Sequence, residues 1–144
     1  MIMNEINATI CTAPGDRMDI KFMRGIEFNR GCQQELIASE IGHAHKQCLF
    51  HDIHDFLPAN TRGIVDDPKS TPDQIRTAIM TSDILRSARC LVHTGQMCAL
   101  VLCDAEAAGS PCQDHSTFGS RAGMSGPRAS AFWTWCRIQD LRLY

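Results

Sequence analysis

The residue types that carry chemistry in this chain gather around one thiol. Cys112 sits in Ala108-Gly109-Ser110-Pro111-Cys112-Gln113-Asp114-His115-Ser116, between an apolar run and a stretch containing Gly119, Gly123 and Gly126. A cysteine at a strand-to-loop junction is fixed by its backbone and open to a cleft, the setting in which a thiolate attacks. The other seven cysteines stand at 11, 32, 48, 90, 98, 103 and 136, and none of them follows a proline. No two have C-x-x-C spacing, which argues against a zinc ribbon. Two acids, Glu27 and Asp52, each follow a short strand-like run. A carboxylate at a strand's C-terminal end is placed to accept ribose hydroxyls. His43, His45, Cys48, His51 and His54 form a local set of metal-ligand types. A helix-to-strand reading turns these five to different faces, so no metal ligand is assigned.

Positioning these groups requires a particular order of elements. Residues 1–20 are read as irregular and 21–144 as one folded unit. Lys21 to Glu27 suits a strand, Gly31 to Ile41 a helix stopped by Gly42, and Gln47 to Phe50 a second strand. Strand, helix, strand is the order of a parallel unit. Leu57 to Ser70, with Pro58, Gly63, Asp66, Asp67 and Pro68, reads as a loop. Thr71-Pro72-Asp73 starts a helix, with a capping hydroxyl, proline at the first turn and an acid at the positive dipole end. Ile75, Ile79 and Leu85 to Leu91 extend its apolar face as far as Gly95. A third strand is expected within Cys98 to Ala108, a long loop over Gly109 to Arg128, and a last helix from Ala129 to Leu143. The fold class is therefore α/β, a mostly parallel sheet flanked by helices.

The segment from Ala108 to Ser116, with the glycine-rich STFGSRAGMSGPRASAFWTW behind it, resembles the nucleophile motif and catalytic loop of cytosine-5 DNA methyltransferases. The resemblance implies a partial Rossmann-like, class I methyltransferase domain. It makes Cys112 the nucleophile that adds to carbon 6 of a flipped-out cytosine, and S-adenosylmethionine the methyl donor. It implies substrate contacts from Pro111, Gln113 and Ser116. Arg121 and Arg128 are placed to meet phosphates. Glu27 would hold the cofactor's ribose and Phe28 pack on its adenine, while Asp52 would contact the adenine amine with Ile53 as apolar neighbour. The family's Phe-x-Gly-x-Gly turn and its Glu-Asn-Val segment do not occur in these 144 residues. The expectation is a partial catalytic domain, weak in cofactor binding by itself and completed by a further segment or a second chain.

Composition bounds the remaining possibilities. The 144 residues suffice for one domain with a core, and a net charge of −2 gives no broad attraction to nucleic acid. The longest apolar stretch, Met97 to Cys103, is too short to span a bilayer. MIMNEINATIC lacks the basic start and apolar core of a signal peptide, so a nuclear or cytoplasmic setting is expected. Two alternatives accompany the DNA reading: an RNA cytosine substrate, since a branch of the same family methylates tRNA, and a degenerate, non-catalytic module that docks on a partner.

Overall fold

The computed structural model of the chain describes residues 24–38, 48–101, 121–126 and 128–141. Those residues form a mixed α/β structure with four α-helices and two small sheets, one parallel and one antiparallel. Strand β1 (Arg24–Ile26) leads through helix α1 (Arg30–Ala38) to strand β2 (Cys48–Phe50), and the two strands pair in parallel with Ile26 opposite Phe50. The pairing continues one residue further, with the Glu27 amide donating to the Phe50 carbonyl at 3.1 Å. Asn29 starts α1: its side-chain oxygen accepts from the amides of Gly31 (2.9 Å) and Cys32 (3.3 Å). Those donors would otherwise lack an intrahelical partner. The expected strand–helix–strand unit is thus present and parallel.

The next segment departs from the sequence expectation. After a 3₁₀ turn (Ile53–Phe56), helix α2 occupies Ala59–Asp66, inside the stretch read as a loop. Pro58 stands at its cap, where a missing amide hydrogen costs nothing. Contacts to acids within ten positions of Arg62 then outweigh the polar composition. Arg62 reaches Asp55, Asp52 and Asp66, and Thr61 is buried.

Helix α3 (Pro72–Met80) begins at the expected cap, with Thr71 and Gln74 forming a reciprocal capping box. It ends earlier than expected. The hydroxyls of Thr81 and Ser82 donate to the carbonyls of Thr77 (2.8 Å) and Ile79 (2.9 Å), occupying acceptors of the last turn. Beyond it, Ala88 and Cys90 are buried while Arg89 and Leu91 are exposed, the period of a strand and not of a helix. Strand β3 (Ser87–Arg89) pairs antiparallel with strand β4 (Met97–Ala99). Of the stretch expected to hold the third strand, residues 98–99 lie in this hairpin arm; residues 102–108, and 109–120 and 127 of the expected loop, lie outside the described residues. An antiparallel bridge, Phe50 to Cys90, joins the hairpin to β2.

Helix α4 (Ala129–Asp140) follows a 3₁₀ turn (Gly123–Ser125) and matches its expected position. Phe50, Phe56, Ile79, Ile84, Ala88, Cys90 and Ile138 form the core between these elements. Phe50 and Phe56 meet edge-to-face with centroids 5.0 Å apart. Arg76 of α3 lies 4.6 Å over the Trp133 ring of α4, and Arg137 Nε donates to the Ser82 carbonyl at 3.0 Å.

Candidate functional site

Because β1 and β2 are parallel and in register, Glu27-Phe28 and His51-Asp52 leave the C-terminal ends of adjacent strands. Ligands of α/β sheets bind at such an edge. Glu27 is half-buried, and its Oε1 accepts from the Asn29 amide at 2.7 Å, which holds the carboxylate at the mouth of α1. Phe28 is 71% exposed and stacks on the His51 ring at 5.5 Å with the planes 21° apart. Gln33 fixes this arrangement from α1. Its Nε2 donates to the Glu27 carbonyl at 2.5 Å and lies 2.6 Å from His51 Nδ1. The result is a carboxylate and an exposed aromatic ring at one strand edge.

Asp52 shares this edge in sequence order, but its side chain turns inward. It is buried, it caps the 3₁₀ turn through the His54 amide (2.9 Å), and it pairs with His54 Nδ1 (3.0 Å) and Arg62 (3.3 Å). Burial opposes its charge, yet the His54 hydrogen bonds and the Arg62 charge together lower its pKa from 3.8 to about 2. A contact to a cofactor amine would have to share an oxygen already engaged. Ile53 is half-buried and packs against the core.

On the other side of the ring, His54 Nε2 lies 3.1 Å from the Ser130 hydroxyl, within hydrogen-bond reach. The order serine, histidine, aspartate is that of a hydrolase relay. Here the aspartate is also paired with Arg62, and Ser130 is buried in the first turn of α4. The chain of bonds ties α4 to the 3₁₀ turn. A shallow groove of about 330 Å³ opens beside it, lined by Val65, Pro72, Ile75, Met124, Ser130 and Trp133 among others. It does not include the Glu27 edge.

Cys112, Pro111, Gln113 and Ser116 lie outside the described residues. Arg121 and Arg128 are both exposed and flank the 3₁₀ turn at Gly123, with Arg121 (φ 53°) and Gly123 (φ 56°) in the left-handed region. Of the local metal-ligand set, His51 and His54 are engaged as above, and His43 and His45 fall outside the described residues.

Cys48 instead meets Cys90, His93 and Cys98 at the other end of β2. Sequence reasoning assigned no ligand there. The signal available was the Cys90-x₂-His93-x₄-Cys98 spacing around Thr94-Gly95. Burial and the neighbouring Cys98 and Cys90 thiols push Cys48 up to about 12. At Cys90 burial acts in the same direction but is outweighed by hydrogen bonds from the His93, Leu49 and Val92 backbone and the His93 ring, which bring it to about 7.

No family model matches the chain, and neither a curated protein nor a solved structure matches it. Among the described residues, no helix is long and apolar enough to cross a membrane.

Proposed function

We propose that this chain carries the nucleophile and part of the cofactor-holding edge of a cytosine-5 methyltransferase of Rossmann-like fold, acting on DNA. The observation that carries the reading is the parallel β1–α1–β2 unit, which sets the Glu27 carboxylate and the exposed Phe28 ring at one strand edge. The Pro111-Cys112-Gln113 sequence supplies the chemistry. The Glu27–Phe28 pair fits the ribose and adenine of S-adenosylmethionine, whereas Asp52, held by His54 and Arg62, fits better as the support of that edge.

The bound cofactor supplies an electrophilic methyl group on its sulfonium. The Cys112 thiolate adds to carbon 6 of cytosine, and the ring electrons shift to carbon 5. Carbon 5 would then be the nucleophile toward the methyl group that a bound cofactor would supply, leaving the cofactor's sulfur as a neutral thioether. A base then removes the proton from carbon 5, the bond from carbon 6 to sulfur breaks, and the thiolate is restored. The thiol must be soft and must leave again, which favours cysteine over serine. In this reading Arg121 and Arg128, exposed on either side of the 3₁₀ turn with its left-handed Gly123, would meet backbone phosphates. The enzyme as a whole would comprise this chain plus the glycine turn and base-binding glutamate that the resemblance implies.

The test is the cofactor KM of such a completed enzyme. Loss of a hydrogen bond to a charged group is worth about 1.5–3 kcal/mol, so Glu27→Gln should raise KM for S-adenosylmethionine at least about tenfold. Phe28→Ala should raise it in the same direction. Wild-type KM in both variants would remove the cofactor edge from the reading.

A further inference from the structure

Three sulfur atoms surround one nitrogen at the start of β2. His93 Nδ1 lies 3.3 Å from Cys90 Sγ, 3.3 Å from Cys98 Sγ and 3.7 Å from Cys48 Sγ. All four ligand atoms fall within 4.8 Å of one another. Hydrogen bonding does not account for this. An imidazole nitrogen offers either one hydrogen or one lone pair, enough for one directed partner and not three. A tetrahedral ion does account for it. With metal–sulfur bonds of about 2.3 Å and metal–nitrogen bonds of about 2.0–2.1 Å, the nitrogen–sulfur edges of the tetrahedron come to about 3.6 Å.

The backbone around the cluster is built to hold it. Cys90 and Cys98 stand on the two arms of the β3–β4 hairpin, and His93 on its turn. The Cys90 amide donates to the Gln96 carbonyl (2.9 Å) and the Gln96 amide to the His93 carbonyl (2.9 Å). Thr94 (φ 27°) and Gly95 (φ 79°) are both left-handed, and for a β-branched threonine that conformation is costly. The fourth ligand, Cys48, comes from β2, to which the hairpin is bound by Leu91 donating to the Leu49 carbonyl at 2.8 Å.

We propose that Cys48, Cys90, His93 and Cys98 form a structural zinc(II) site, with three thiolates and His93 Nδ1 as its four ligands. Four protein ligands leave no open position, so the ion stabilises structure and does not activate water. Three thiolates and an imidazole suit zinc over the oxygen-seeking cations. A two-iron cluster divides its ligands between two metal atoms, which sets ligands on different irons farther apart than this compact group. The ion joins the hairpin to β2, the strand whose far end delivers His51 and Asp52. The site uses neither Cys112 nor methyl transfer, so it stands or falls separately from the catalytic reading.

The full chain should be purified under reducing conditions from zinc-supplemented cells and its metals counted by mass spectrometry. About one zinc per chain is expected, retained in Cys32→Ser and Cys136→Ser and lowered about fivefold or more in Cys98→Ser and His93→Ala. Because loss of a ligand can unfold the chain, cobalt(II) provides a readout on the unaltered protein. It should give tetrahedral d–d bands and a thiolate-to-cobalt charge-transfer band, both abolished by one equivalent of zinc. His93→Cys should keep one metal and raise the charge-transfer intensity by about a third, four thiolates replacing three. An octahedral cobalt spectrum, a wild-type chain that stays zinc-free after reconstitution, a disulfide among these cysteines under reductant, or bound iron with acid-labile sulfide would each overturn the assignment.

Discussion

Replacing Asp52 with asparagine separates its charge from its capping role. The asparagine oxygen can still accept from the His54 amide, but the negative charge facing His54 Nδ1 and the Arg62 guanidinium is lost. In the folded chain the Asp52 pKa is lowered from 3.8 to about 2: burial works against the charge and the His54 and Arg62 contacts outweigh it. A depressed folded-state pKa means the charged form is favoured by folding. That contribution is present above pH 3.8, the ordinary value, and is lost as pH falls through about 2. The difference between the two pKa values corresponds to about 2 kcal/mol. Urea denaturation of the wild type and Asp52→Asn should therefore differ by about 2 kcal/mol at pH 7, with the gap closing between about pH 4 and pH 2. A gap that stays constant with pH, or that widens in acid, would show that Asp52 does not act through its charge.

Two further predictions concern the frame around the site. Thr71→Ala removes the hydroxyl that accepts from the Gln74 amide at 3.3 Å and should cost about 1 kcal/mol in urea unfolding; no loss would mean α3 is set by packing alone. Ser130→Ala should cost about 1 kcal/mol through the lost His54 contact. A fluorophosphonate probe should leave the wild type unlabelled, since Ser130 is buried; labelling at Ser130 would revive the hydrolase relay.

Local signals in the sequence were sufficient where the structure is local. The stop at Gly42, the Thr71-Pro72-Asp73 start and the short strand-like runs ending at Glu27 and Phe50 locate their elements within a few residues. Helix α2 was hidden because Arg62 is satisfied by Asp52 and Asp55, which precede the helix, as well as by Asp66 within it. The hairpin was hidden because Leu85 to Leu91 is apolar enough for a helix, and only the alternate burial of Ala88 and Cys90 reveals the period of two. The Cys/His cluster was hidden because Cys48 lies 42 positions before Cys90 and joins it only through strand pairing. At the strand edge, position was legible but orientation was not. Strand-end spacing puts Asp52 at the edge, but only the fold shows its contacts with His54 and Arg62.

The central claim concerns Cys112, and covalent trapping tests it directly. In the completed enzyme, duplex DNA carrying 5-fluorocytosine at the target should become linked to the protein when S-adenosylmethionine is present. Fluorine cannot leave carbon 5 as a proton does, so the bond between sulfur and carbon 6 persists through a denaturing gel. The account predicts that Cys112→Ala abolishes the linked band and that Cys103→Ala retains it. A linked band that survives in Cys112→Ala would contradict the account.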